Sequence, residues 1–396
     1  MTEFSAEKSF LPIPPPTIYK DDPRAELQES EQPMYDKVVE HFSQTDYSIP
    51  NIEKGELTDQ EKFWLSRECI LRYLRASKWK LATAITRIEN TLTWRREYGL
   101  YDILNANHVE PEAVTGKQIT FGFDVKGKPA FYMIPSRQNT DDPVRQIQFV
   151  VWMLERAIEL MGPGVETMAL LINFADKGKH PAMSTSRTIL SFLQDHYPER
   201  LGLAIFINLP FIVTTTLKII MPFVDPITRE KVKFNPNIFG EGLFLPDMVM
   251  KQGWDGNQDF EYVHEKYWAG LVELCESRAK DWMENWRSLG GKVGIAEWEY
   301  KQGNVPIAKG EAGEVTDEKE EILVTTEAKV AEVPKKEVES VPHITVDAAE
   351  PKEAIHHVEN EGQSVAMASA AGAITGGVED SGFAFDAGHG GDGGGD

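Results

Sequence analysis

Three segments place charged or hydroxyl groups where an apolar run begins or ends. The first is HYPERLGLAIFINLP, residues 196 to 210. Its Tyr-Pro-Glu-Arg turn sets Glu199 at the mouth of whatever the following apolar run encloses, and an ionised carboxylate there accepts hydrogen bonds from hydroxyls. The second is LRYLRASKWK, residues 71 to 80, with cations gathered at a helix end that the backbone dipole favours for positive charge. The third is PFIVTTTLKIIMPFVDPITREK, residues 210 to 231. It is apolar around much of its circumference, is bracketed by Pro210 and Pro222, and turns through Asp225-Pro226. Such a helix is either ordinary core or a hinged lid that opens onto an apolar ligand.

None of this is laid out for catalysis. The chain has no G-x-S-x-G elbow, no P-loop, no H-E-x-x-H and no glycine fingerprint after a strand. Its nine histidines are scattered, and nothing in the spacing of His180, His196 and His264 requires them to meet. Glu199 as an acid or base lacks a nucleophile, a metal set and an orienting partner. We expect no enzyme, no cofactor and no metal. Cys69 and Cys275 lack metal-ligand spacing and sit in apolar helical sequence, which reads as buried free thiols of a reducing compartment.

The elements that must position these groups change character twice along the chain. Residues 1–32 are rich in proline and charge and read as an extended arm. Residues 33–115 read as helical. Thr58-Asp59-Gln60-Glu61 is a capping box opening one helix through Leu74, and a second runs from about Leu81 to Tyr98 with Gly99 as its stop. Residues 116–298 alternate strand and helix: a hairpin around Lys126-Gly127-Lys128, a helix opened by Asp142-Pro143, and short apolar strands near Thr167–Phe174, Leu203–Ile207 and Val232–Phe234. That alternation implies an α/β domain with a largely covered sheet. Helices resume from about Phe260 to Leu289. Residues 299–396, rich in Glu, Lys, Ala and Gly, read as a disordered acidic tail.

The chain has 396 residues, 41% hydrophobic and 26% charged, with net charge -22. Residues 301–396 hold twenty acidic against seven basic residues, so thirteen of those charges belong to the tail. Nucleic acid is a poor partner for such a chain, and charge alone will not fix it to an anionic membrane. The start, MTEFSAEKSFLPIPPP, lacks the basic and apolar regions of a signal peptide. The most apolar stretch, Leu203 to Val224, is broken by Asn208, Pro210, Lys218 and Pro222, so no membrane span is expected.

Together LRYLRASKW…WRREYG, YPERLG…INLP and DPITREK, in that order and spacing, resemble the CRAL-TRIO lipid-binding proteins, and within them the fungal phosphatidylinositol transfer proteins. The resemblance covers roughly residues 60 to 290. It implies a helical N-terminal bundle beside a sheet-floored pocket, with residues 210–224 as the gating helix. It assigns Lys78, Glu199, Thr228 and Lys231 to the inositol phosphate, and Met168, Leu170, Phe211, Leu217, Ile220, Met221 and Phe223 to the pocket and gate.

Two departures stand out. Ser77 replaces an Arg common before the leader Lys. Met168 and Leu170 stand where members that also bind phosphatidylcholine carry hydroxyls. Phosphatidylcholine is therefore disfavoured, because its phosphate would lack partners. The drug-resistance-associated branch, which this sequence most resembles, implies a sterol or another weakly polar second lipid. The implied activity is exchange of phosphatidylinositol between membranes by a monomer in the cytosol, in transient contact with endoplasmic reticulum, lipid droplets or plasma membrane. Two other readings stay open: a sensor presenting phosphatidylinositol to a lipid kinase, and a scaffold acting through the acidic tail.

Overall fold

The structure, a computed structural model, describes residues 8–175, 183–209 and 226–302. The proline-rich arm is extended and tied down at its start, where Ser9 N donates to Asp259 O and Ser9 O accepts from Glu261 N, both at 3.0 Å.

Helices α1 (Gln32–Ser43), α2 (Asp59–Trp64), α3 (Arg67–Ala76) and α4 (Leu81–Glu97) follow. Phe42, Leu65, Ile70, Leu74, Ile88 and Leu92 form their shared core. The capping box is present: Thr58 Oγ1 accepts from Glu61 N at 3.3 Å and Thr58 N donates to Glu61 Oε2 at 2.8 Å. The single helix expected after it is two. Ser66 Oγ accepts from Cys69 N at 3.1 Å, capping a new helix and breaking the old one, because a serine hydroxyl competes with the backbone for amides. A further helix, α5 (Ala106–Ala113), was not anticipated. Asn105 caps it through His108 N at 3.1 Å, and Pro111 in its last turn weakens the sequence signal.

The sheet holds β1 (Gln118–Phe123), β2 (Pro129–Met133), β3 (Met168–Asn173), β4 (Leu201–Ile207) and β5 (Val232–Phe234), side by side in that order. β1 and β2 form the antiparallel hairpin, turning at Gly127 with φ 71°. The other pairings are parallel. Helix α6 (Pro143–Glu159) crosses from β2 to β3, α7 (Met183–His196) from β3 to β4, and α8 (Pro226–Lys231) leads into β5.

Successive side chains of a strand face opposite sides. Ala169, Leu171, Leu203 and Ile205 join Phe149 and Met153 of α6 in the main core. Ile172, Phe174, Ala204 and Phe206 form a second cluster, with Leu170, Leu201 and Val232 packed against it.

Helix α9 (His264–Ser288) buries Tyr267, Leu271 and Cys275 in the main core. The folded region then runs past the boundary expected at Trp298. Helix α10 (Glu297–Lys301) buries Tyr300 and Lys301, at 3% and 7% exposure. Lys301 Nζ bonds Glu297 at 2.5 Å within the helix, and Tyr300 packs 4.9 Å from Phe63, so a segment of tail-like composition is held by a contact distant in sequence. Among the described residues no helix is long and apolar enough to cross a membrane.

Candidate functional site

Helix α3 ends at Ala76, and the chain reverses through two left-handed residues, Lys78 (φ 52°) and Trp79 (φ 57°). Trp79 N closes the turn on Leu74 O at 2.8 Å, which leaves Lys78 exposed. Ser77 is buried instead, with no hydrogen-bond partner for its hydroxyl. Glu199 is left-handed too, at φ 57°. Each such residue costs on the order of 1 kcal/mol, so strain collects on both sides of one site.

The two sides meet. Arg75 Nε donates to Glu199 Oε2 at 2.6 Å, and the Glu199 side chain is 27% exposed. Among the described residues no hydrogen bond reaches Oε1. Lys231 ends α8 directly before β5, whose Val232 pairs with Ala204 of β4. Burial pushes the Lys128 ammonium down, and the positive charges of Lys126 and Lys231 push the same way against Asp124. The Lys231 charge is therefore within electrostatic reach of Lys128. A Cβ on Gly202 would lie 2.9 Å from Lys128 Cδ, so Lys128 stands at the start of β4. Glu199 thus stands shortly before β4, Lys231 directly before β5, and Lys78 three residues beyond the Arg75 that binds Glu199. Arg75 and Lys128, which sequence reasoning did not single out, stand with them. Their signal was weak: one more arginine in a cationic helix, one more lysine in a turn.

Thr228 falls in α8, one turn before Lys231, and its side chain lies outside the described residues. The expected gate, 210–224, with Phe211, Leu217, Ile220, Met221 and Phe223, also lies outside them. Of the two strand positions, Leu170 borders the second apolar cluster. Met168 does not. It packs in the main core, which Leu170 also borders, and a register shift falls between Met168 and Ala169.

Behind this site lies a buried ionic network. Glu166 meets Arg24 at 2.7 Å, Arg75 at 3.1 Å and Arg72 at 3.3 Å. Burial pushes its carboxyl up, but Arg72, Arg75 and Arg24 together hold it below the usual range. Glu297 binds Lys301 at 2.5 Å, Arg72 at 3.5 Å and the Ser66 hydroxyl at 2.9 Å. Glu68 accepts from Glu297 N at 2.6 Å; burial and the Glu297 charge raise its carboxyl. His196 stacks on Trp94 at 4.1 Å, and burial pushes it down to about 4. Among the described residues no three potential ligands could hold a metal ion.

The chain matches the CRAL/TRIO domain over residues 113–244 and the CRAL/TRIO N-terminal domain over residues 34–90. It is 37% identical over 319 residues to phosphatidylinositol transfer protein PDR17 of Saccharomyces cerevisiae, spanning 74% of this chain and 90% of that one. The chain belongs to the CRAL/TRIO family. A CRAL-TRIO domain-containing protein of Schizosaccharomyces pombe is 43% identical over 282 residues, which are 70% of this chain but only 28% of that relative's length. The crystal structure of Sfh5 aligns with a TM-score of 0.44 and 17% identity, over 64% of this chain and 99% of that one. Helical leader and mixed sheet, as the resemblance implied, are both present in this CRAL/TRIO protein, and the family is one of lipid handling, not of catalysis.

Proposed function

We propose that this CRAL/TRIO protein lifts phosphatidylinositol out of one membrane, encloses it and releases it at another. What supports the reading is the Arg75–Glu199 pair beside the Lys78 turn in sequence, with Glu199 and Lys231 each shortly before a strand whose Leu201 or Val232 packs with Leu170 on one apolar cluster. An inositol ring is a set of hydroxyl donors, and Glu199 Oε1 accepts from one while Arg75 fixes the carboxylate. The phosphodiester carries one negative charge, suited to the ammonium groups of Lys78 and Lys231 and the hydroxyl of Thr228. Acyl chains gain about 0.8 kcal/mol per methylene on leaving water. The bilayer supplies that environment equally, so the headgroup contacts set selectivity. The relative named a phosphatidylinositol transfer protein supports this choice of headgroup.

The second ligand in this reading is a sterol, because Leu170 offers no hydroxyl to a choline phosphate. The setting is the cytosol, with peripheral visits to endoplasmic reticulum, lipid droplets or plasma membrane; free buried Cys69 and Cys275 suit a reducing compartment. The protein works as a monomer.

The test is mass spectrometry of lipids extracted from the protein purified from a fungal host, beside a Glu199→Ala, Lys231→Ala double variant. Phosphatidylinositol should accompany the wild type and vanish from the variant, and any lipid left in both names the second ligand. The same lipids in both, without phosphatidylinositol, would remove the proposal. Failure to take up sterol from vesicles would remove the sterol. Transfer between vesicles that survives deletion of residues 303–396 excludes a tail-based scaffold, and net transfer itself separates carriage from presentation to a kinase.

A further inference from the structure

A cavity of about 240 Å³ lies among α2, α3, α6, α9 and α10, and its lip reaches the exposed Gln60. Five cations line it against three carboxylates. Four of the cations are accounted for. Arg95 pairs with Glu155 at 2.9 Å, Arg156 with Glu159 at 2.5 Å, and Lys301 with Glu297 at 2.5 Å. Arg72 is shared between Glu166 at 3.3 Å and Glu297 at 3.5 Å.

The fifth, Arg200, is 9% exposed and meets no carboxylate among the described residues. Its guanidinium donates to Glu166 O at 2.9 Å and reaches Met161 Sδ at 3.6 Å. Most of its N–H groups are left without an acceptor. Glu297 and Glu166 attract it only without direct contact, and a buried cation with no direct ion pair is costly for a fold to hold unless something else supplies one. Glu199 and Arg200 are adjacent in sequence, yet Glu199 turns to Arg75 at the half-exposed strand end while Arg200 lines the cavity.

We propose that this cavity is a second binding site, for a small phosphate-bearing anion held by Arg200 with Arg72 beside it. Two planar guanidinium forks suit the several oxygens of a phosphate better than a single carboxylate. The volume is below that of ordinary ligand pockets, roughly 300–1,000 Å³, so it admits inorganic phosphate or a phosphate ester of a few carbons and excludes acyl chains. Entry is past Gln60, from water, independent of any membrane gate. The site bridges the helical leader, the sheet domain and α10, so its occupancy stiffens the joint between them.

The test is thermal unfolding of the full-length protein at constant ionic strength, with inorganic phosphate or glycerol 3-phosphate replacing chloride. A saturable rise in Tm of roughly 2–5 °C is expected for the wild type. It should persist in Lys231→Ala and disappear in Arg200→Gln. Ala279→Phe fills the cavity without touching a charge, and should abolish the rise even if Arg200→Gln does not fold. Vesicles containing phosphatidic acid should give no comparable rise. No saturable rise in the wild type overturns the proposal, as does a rise that survives Ala279→Phe. A response to the vesicles alone also overturns it, because it moves the phosphate to the strand-end site.

Discussion

Arg72 and Arg75 lie one turn apart on α3 and share Glu166, but Arg72 stays within one buried polar region while Arg75 reaches a second, more exposed one. The Arg72 side chain is 4% exposed, inside a network where Glu166 and Glu297 are each met by more than one cation. The Arg75 side chain is 21% exposed and reaches from that network, where it meets Glu166 at 3.1 Å, to Glu199 at 2.6 Å, whose side chain is 27% exposed. Both regions use the same residue types. They differ in water and in completeness of pairing. Where carboxylates are saturated and dry, removing one partner leaves a charge with nowhere to go. Where pairing is partial and wet, a ligand can complete it. Strain points the same way: the left-handed non-glycine residues Lys78, Trp79 and Glu199 flank the open region.

The sharpest way to break this contrast is inside the network. Glu297→Ala strands Lys301 and removes one of the two carboxylates that Arg72 shares, and should cost about 3–5 kcal/mol in urea unfolding, the range for half-broken buried pairs. A loss under about 1 kcal/mol would mean that the network is solvated after all.

His196 extends the comparison to a group buried neutral. Its folded value is about 4, below the ordinary 6.5, because of burial against Trp94. The unfolded chain therefore binds the proton first. Stability should fall as pH drops from about 6.5 to about 4, by on the order of 2–3 kcal/mol. Unfolding followed across that window checks it, and His196→Gln should flatten this part of the slope.

The smallest effect on stability belongs to the open region. Glu199→Ala and Lys231→Ala should each change unfolding by less than about 1 kcal/mol while lowering phosphatidylinositol content. A loss as large as that of Glu297→Ala would place Glu199 in the structural network and erase the distinction.

Features with local causes were legible in the sequence. The Thr58–Glu61 capping box, the Asp142-Pro143 helix start, the hairpin at Gly127 and the apolar strands β3 and β4 each depend on residues a few positions apart. So did the order of the three motifs that carried the family resemblance. The break at Ser66 was local too, but hidden, because apolar spacing runs through it and a serine is ambiguous until its hydroxyl is seen to cap.

Other features had causes far away. Arg75 and Glu199 are 124 residues apart, and Ser66 and Glu297 are 231 apart. Periodicity cannot choose such partners, because it records which face is apolar and not what that face meets. Tyr300 looks like the beginning of the acidic tail until Phe63 and Trp282 are placed around it. The sequence by itself determined the elements, the family and the kinds of group available at the strand ends. The tertiary structure decided which charges are saturated and which stay open, because a charge's environment is set by neighbours that come together only on folding.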